Sequence, residues 1–157
     1  MYKFFDRNSE SISLHDCRAT NVFLNKDVLS FDFADGFWIS EKNPRNPYKK
    51  LLCTDQSQVD FHLLSGDVNA DLTCYVFVKK HGKVIRKTFD YEKLQRKINQ
   101  KGQELEFLYA YTGYKSVIFE CVLWRKKKPY SRDCVLIIST DDVKYRWNKI
   151  CPDKPYN

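Results

Sequence analysis

Apolar and polar residues alternate with a period of two along most of the chain, a pattern typical of antiparallel β-strands with one buried face. The clearest example is 28–33, where Leu29 and Phe31 fall on the same face. An Asp35-Gly36 turn follows, and the pattern predicts that 37–39 returns beside 28–33 as a hairpin. The same alternation predicts further strands over 17–24, 58–64, 73–80, 84–89 and 104–111.

Two other segments, 115–124 and 134–139, are apolar on both faces, which is typical of central strands covered on both sides. A helical period appears after 84–89. Asp90 is a suitable N-cap and Gly102 a suitable C-terminal stop, so we predict a helix over about 90–101. One turn of helix is also expected near 141–147, before a tail.

These elements predict a mainly β fold. Eight or nine strands with short connections favour antiparallel pairing. We expect an antiparallel β-sandwich or a partly open barrel with one short α-helix at about 90–101. No linker or internal repeat divides the chain. We therefore expect a single β-rich domain over 1–157, with a short flexible C-terminal tail from about 151.

Composition narrows the class of protein. Of 157 residues, 43% are apolar and 15% aromatic, which is too apolar for a disordered chain. No apolar run approaches the ~20 residues that span a bilayer. The first residues turn polar before a secretory apolar region can form. We therefore expect a cytoplasmic protein that does not bind membranes.

The six cysteines are too widely spaced for a local metal site. The closest pair, Cys121 and Cys134, is 13 positions apart, so no CxxC motif occurs. Reduced thiols are the expectation for a cytoplasmic chain. We predict neither a metal site nor another cofactor.

Positive charge is concentrated in one window. The net charge of the chain is +7, and 79–101 alone holds nine basic and two acidic side chains. One interpretation is a solvated hairpin and helix face whose lysines prevent edge-to-edge aggregation. The other is a surface for nucleic acid or an acidic partner, joined by the loop 125–128 and by aromatic rings that stack on bases. The proposed basic patch consists of Lys79, Lys80, Lys83, Arg86, Lys87, Arg96 and Lys97.

A run of reactive side chains precedes the first predicted strand. His15 and Asp16 can share a hydrogen bond that raises imidazole basicity, and Cys17 beside them is a candidate nucleophile. On a regular strand, however, adjacent residues point to opposite faces. The favoured interpretation is therefore that His15 or Asp16 caps a turn while Cys17 lies in the core.

Enzyme signatures are otherwise missing from the sequence. It has no phosphate-binding glycine loop, no Gly-x-Ser-x-Gly elbow and no HExxH motif. We therefore lean towards a protein without catalytic activity. Trp38 follows the Asp-Gly turn and is the aromatic residue expected nearest the surface. The candidate binding residues are His15, Asp16, Arg18 and Trp38.

The segment SLHDCRATNVFLNKDVLSFDFADGFWI, residues 13–39, resembles the opening of several small, uncharacterised bacterial β-rich families. They share a start of hydrophobic residue, His, Asp and a small residue or Cys, then a strand, a turn and a further strand. His15 and Asp16 match that start. Some of these families are found among toxin-immunity proteins. The resemblance implies a compact cytosolic domain that binds another macromolecule and is not an enzyme.

Three hypotheses for function follow. The first is a non-catalytic interaction module, immunity-protein-like, that binds another protein. The second is nucleic-acid binding through the 79–101 window. The third is a small-ligand binder or enzyme that uses His15, Asp16 and Cys17. Strand order, the choice between barrel and sandwich, and oligomeric state remain open at this point.

Overall fold

Strands dominate the computed structural model, which describes residues 1–155. The strands are β1 (Phe4–Asp6), β2 (Ile12–Ser13), β3 (Cys17–Asn25), β4 (Val28–Phe33), β5 (Trp38–Ile39), β6 (Leu52–Thr54), β7 (Ser57–Leu63), β8 (Leu72–Lys80), β9 (Lys83–Phe89), β10 (Glu104–Gly113), β11 (Ser116–Trp124), β12 (Ser131–Trp147) and β13 (Ile150–Pro155). The α-helices are α1 (Val68–Asp71) and α2 (Tyr91–Gln95), and α2 continues into a π-helical turn over Arg96–Gln100.

Six of these strands close into an antiparallel barrel. The order is β11-β10-β3-β4-β7-β12, and β12 pairs back to β11. The first half of β12 pairs with β11 and β8, and its second half pairs with β7. The β8–β9 hairpin therefore extends the barrel wall outward from β12. The predicted mainly β, antiparallel architecture with one short helix is confirmed, and of the two arrangements left open the structure has the barrel, fully closed.

A second, four-stranded sheet covers one side of the barrel, in the order β13-β6-β5-β2. It includes residues 38–39, so the predicted hairpin between 37–39 and 28–33 is wrong. The turn does form, since Gly36 N–H donates to the Phe33 carbonyl at 3.2 Å. The chain then leaves β4 because Phe37 is buried in the core and its N–H donates to Thr54 Oγ1 at 2.9 Å.

The helical turn predicted near 141–147 is also wrong, because β12 continues through it. Val143, Tyr145 and Trp147 recur with a period of two, and both Tyr145 and Trp147 are buried. The segment expected to begin a tail at about 151 forms β13, in which Cys151 pairs with Cys53 of β6. Residues 156 and 157 of that expected tail lie outside the described residues.

The predicted helix is present. Asp90 Oδ1 accepts a hydrogen bond from Lys93 N–H at 2.8 Å, as an N-cap does. Leu94 and Ile98 are buried, and Gly102 has the positive φ of +58° expected of a helix stop. The helix lies against β3, and its last turn is joined to that strand by Asn99.

Aromatic rings fill the barrel. Phe31, Phe61, Phe119 and Phe107 form a closed cycle of edge-to-face contacts with centroids 4.9–6.0 Å apart. All six cysteines are buried free thiols. None of the helices in residues 1–155 has the length and apolar character needed to cross a bilayer.

Candidate functional site

The His15-Asp16 segment forms a tight turn between β2 and β3. Cys17 N–H donates to the Leu14 carbonyl at 2.9 Å, and Asp16 adopts a left-handed φ of +58°. The turn brings His15 Nε2 within 3.5 Å of Asp16 Oδ2. The other ring nitrogen, Nδ1, bonds to the backbone carbonyl of Leu108. The two side chains therefore meet, as the sequence suggested, in a turn that holds the imidazole against β10.

Cys17 lies in a different environment. Its side chain is buried, and its Sγ is 3.5 Å from the His15 carbonyl oxygen. Burial raises the pKa of the Cys17 thiol well above its ordinary value, and the nearby Cys53 raises it further. A protonated, buried thiol is a poor nucleophile. The structure therefore gives no support to nucleophilic catalysis by Cys17.

Arg18 is engaged by neighbouring side chains. It lies opposite Glu106 on β10, and its Nε is 3.2 Å from Glu106 Oε1. Its Nη1 is 3.3 Å from Glu104 Oε2. The guanidinium also stacks over the Trp124 ring, 4.7 Å from the centroid. These contacts hold β3 against β10. Because the guanidinium of Arg18 is already paired with two carboxylates, it attracts an anionic ligand only weakly.

Trp38 completes the group of candidate binding residues. It is half-buried, and its indole N–H donates to the His15 carbonyl at 2.9 Å. A cleft of about 280 Å³ brings three of the four candidates together; its lining is Asp16, Cys17, Arg18, Asp35, Gly36, Trp38, Cys53 and Glu104. His15 instead lines the mouth of the barrel, a separate cavity of about 290 Å³. The candidates are thus divided between two shallow openings.

Metal ligands do not cluster in the described part of the chain. Residues 1–155 contain no group of three or more His, Cys, Asp or Glu side chains that could hold a metal ion. His62, for example, has Asp27 as its ion-pair partner at 3.3 Å.

The basic residues of the proposed patch in 79–101 lie on two elements, the β8–β9 hairpin and the turn after α2. Five of them lie on the β8–β9 hairpin, where residues 83–88 are all exposed. Arg86 turns towards the outside of the sheet and stacks on Tyr75, 4.5 Å from the ring centroid. Arg96 and Lys97 belong to the π-helical turn after α2.

The helix end lies near a second set of cations, which belongs to the segment 125–132. Lys97 is close enough to Arg125 and Arg132 for their charges to act on it. A Cβ at Gly102 would stand 2.9 Å from Lys126 Nζ, so Lys126 lies over the helix end. Lys79 and Arg132 line one cleft of about 250 Å³. The fold therefore joins the 79–101 window to the segment 125–132.

The barrel also has an apolar outer face, formed by β10, β11, β12 and β8. Strand register sets out its two central rows, which are Tyr111, Ile118, Ile137 and Thr73, followed by Tyr109, Glu120, Val135 and Tyr75. Ile118, Tyr109 and Tyr111 are 37%, 55% and 52% exposed. Val135 and Ile137 are half-buried and do not belong to the core.

Little within residues 1–155 covers this outer face. Among the described residues, β11 makes extensive contacts only with its sheet neighbours β10 and β12. Glu120 lies within the second row, between Tyr109 and Val135, while Asp133 on β12 and Arg86 on β9 stand at the borders of the face. The sequence contains a sign of this face, because 115–124 and 134–139 are apolar on both faces. The prediction that both faces of these strands are covered is wrong, since one of the two faces points outward.

Comparison of the sequence with protein families and with curated proteins, and of the fold with solved structures, returned no match. The resemblance of residues 13–39 to immunity-related families therefore stays a prediction.

Proposed function

We propose that this protein is a non-catalytic interaction module of the cytoplasm that binds another protein through the outer face. The observation that carries the proposal is a largely apolar sheet surface that little within residues 1–155 covers. Ile118, Ile137 and Val135 are adjacent on it and point away from the core. Exposed apolar patches of this extent on a folded protein are typical of interaction sites.

The shape of the outer face favours a protein over a small molecule. Four strands about 4.8 Å apart and rows about 7 Å apart make a surface roughly 15 Å wide. It is an exposed sheet surface bordered by tyrosines, whereas small-ligand sites are enclosed clefts. A face of this size suits the apolar centre of a standard interface, around which a polar rim supplies the remaining area.

The borders define the chemistry of the partner. Tyr109 and Tyr111 provide large, rigid contact area, and tyrosine is enriched in interface centres. Glu120 lies within the face, where it accepts a hydrogen bond from the Tyr111 hydroxyl at 3.2 Å, and Arg86 stands at its β9 border. The partner we expect therefore presents an apolar surface with polar or charged groups opposite Glu120 and Arg86. Recognition of this kind agrees with the immunity-protein-like resemblance of residues 13–39.

The test compares a face variant with a matched control. Ile118→Glu and Ile137→Glu, combined, place two charges on neighbouring strands of the outer face. Leu64→Glu introduces the same change at a residue that is 43% exposed and outside the face. Each tagged protein is used for capture from its native source, and a recovered protein is purified and its affinity measured.

The proposal predicts one protein that binds the wild type and the Leu64 variant equally. It predicts at least about tenfold weaker binding to the double variant, since loss of a central contact costs more than 1 kcal/mol. Equal binding by all three proteins, or no recovered partner, contradicts the proposal. So does concentration-dependent dimerisation lost only in the double variant, because the occupant would then be a second copy.

A further inference from the structure

Four cations at one end of the barrel form a connected series, which we term the basic end: Lys79, Arg132, Arg125 and Lys97. Lys79 and Arg132 line the cleft where β8 separates from β12, beyond the last pair Cys134–Val76. Arg125 lies close to both Arg132 and Lys97. The series therefore leads from the hairpin to the helix along the barrel end.

The charges of the basic end are poorly balanced by protein groups. Arg132 Nε is buried and has no hydrogen-bond partner among the described residues. Burial, followed by the charges of neighbouring cations, lowers the pKa of Lys97 and of Arg132. The one carboxylate in the lining of the cleft is that of Asp133. An anion placed here would relieve the repulsion and supply a missing acceptor.

Aromatic rings accompany these cations. Phe77 lines the cleft beside Lys79 and Arg132. Tyr130 is 55% exposed in the loop that begins at Arg125, and Arg125 Nη1 donates to the Pro129 carbonyl at 2.8 Å in the same loop. Cations in series beside exposed rings are the combination by which proteins hold unpaired bases and their phosphates.

We infer that the basic end binds the phosphate backbone of single-stranded nucleic acid, with Tyr130 and Phe77 available to stack on bases. Several cations spaced along a path fit a repeating chain of phosphates better than one isolated phosphate. The basic end adjoins the outer face at Asp133. The residues changed in the test below, Lys97, Arg125 and Tyr130, lie outside the outer face, so failure of this inference is distinguishable from failure of the proposed protein partner.

The test is fluorescence anisotropy with a labelled single-stranded oligonucleotide, DNA or RNA. Neutralising about four phosphates predicts an affinity loss of about 50-fold between about 50 mM and about 200 mM salt. Lys97→Gln combined with Arg125→Gln should reduce the slope of log affinity against log salt by about 1.4. The control, Lys49→Gln with Lys50→Gln, removes the same charge from an exposed loop between β5 and β6 and should leave the slope unchanged.

A second variant separates stacking from charge. Tyr130→Ala keeps every cation and should weaken binding to the single strand about fivefold or more. Circular dichroism melting of each variant checks that it is folded. Absence of binding at low salt overturns the inference, as does an equal loss in the Lys49/Lys50 control. Displacement of the oligonucleotide by inorganic phosphate at millimolar concentration would instead assign a single-phosphate site. Competition by poly-glutamate as strong as that by oligonucleotide would assign an acidic protein.

Discussion

At the scale of single residues, Gly36 joins the two sheets. Its φ is +85°, and a Cβ there would lie 2.2 Å from the Thr54 carbonyl oxygen and 2.6 Å from that of Asp55. Only glycine tolerates both the backbone conformation and the close approach. The Asp-Gly pair was recognised from the sequence as a turn, but the contact with β6 that redirects the chain involves residues 18 positions away.

We expect Gly36→Ala to lower the free energy of unfolding by on the order of 3 kcal/mol, because strain and a backbone clash act together. Urea unfolding monitored by tryptophan fluorescence measures the change. Gly82→Ala is the control, since Gly82 also has a positive φ, +74°, but no atom within 4 Å of the added Cβ. Equal losses in the two variants would show that the contact with Thr54 is unimportant.

The buried thiols make the free energy of unfolding depend on pH in the alkaline range. Burial raises the pKa of Cys53 to about 11, whereas an unfolded thiol titrates near about 8.5. As pH rises, the unfolded chain loses this proton first, so the contribution of Cys53 to the free energy of unfolding is complete below about pH 8.5 and declines up to about pH 11. Urea midpoints across this range should fall more steeply in the wild type than in Cys53→Ser. Parallel curves would contradict the shifted pKa.

At the scale of elements, one side chain extends a strand pairing. β10 pairs with β3 only as far as Leu105–Ala19. Beyond that point Asn99 Oδ1 accepts from Val22 N–H at 2.9 Å, and Asn99 Nδ2 donates to the Val22 carbonyl at 2.8 Å. The helix end thus takes the place of a strand along the open edge of β3.

Asn99→Ala should lower the free energy of unfolding by about 1–2 kcal/mol, since it leaves both polar groups of a buried residue without these partners. Hydrogen exchange at the Val22 amide should also become faster. Gln100→Ala, at the neighbouring exposed position, is the control and should change neither quantity. Unchanged exchange at Val22 in the Asn99 variant would contradict the proposed role.

Local patterns predicted elements better than their partners. Alternation located β3, β4 and β7 to β10, a continuous apolar run located β11, and capping residues located the helix, because these signals are carried by neighbouring residues. The partner of 37–39 was wrong because pairing with β6 depends on a contact distant in sequence. The turn predicted at 141–147 was wrong because Val143, Tyr145 and Trp147 alternate with polar residues, which favours a strand that buries Tyr145 and Trp147.

At the scale of the whole molecule, barrel closure decides which surfaces remain free. Closing the barrel leaves each wall strand one core face and one outward face. In that geometry, one face of the segments 115–124 and 134–139 contacts the core, and their other face forms part of the outer face. The same geometry also brings cations from 79–101 and 125–132 to one end. The outer face could not be predicted from sequence, because it depends on strand order, whereas the sequence had already suggested that the loop 125–128 joins the 79–101 window.

The candidate site illustrates the same limit. His15 and Asp16 were identified from their sequence and do contact each other. Arg18 and Trp38 were also identified, but their hydrogen bonds serve the structure around the turn. The free surfaces lie elsewhere. The surface proposed to recognise a partner protein is instead the outer face of the barrel.

Site-specific photo-crosslinking in the native cell tests whether a partner protein binds this face. A photoreactive amino acid replaces Ile118, on the outer face, or Tyr48, which is 38% exposed in the loop between β5 and β6. We predict that one protein is cross-linked from position 118 and not from position 48. Cross-linking only from position 48, or the same products with equal yield from both positions, would contradict it.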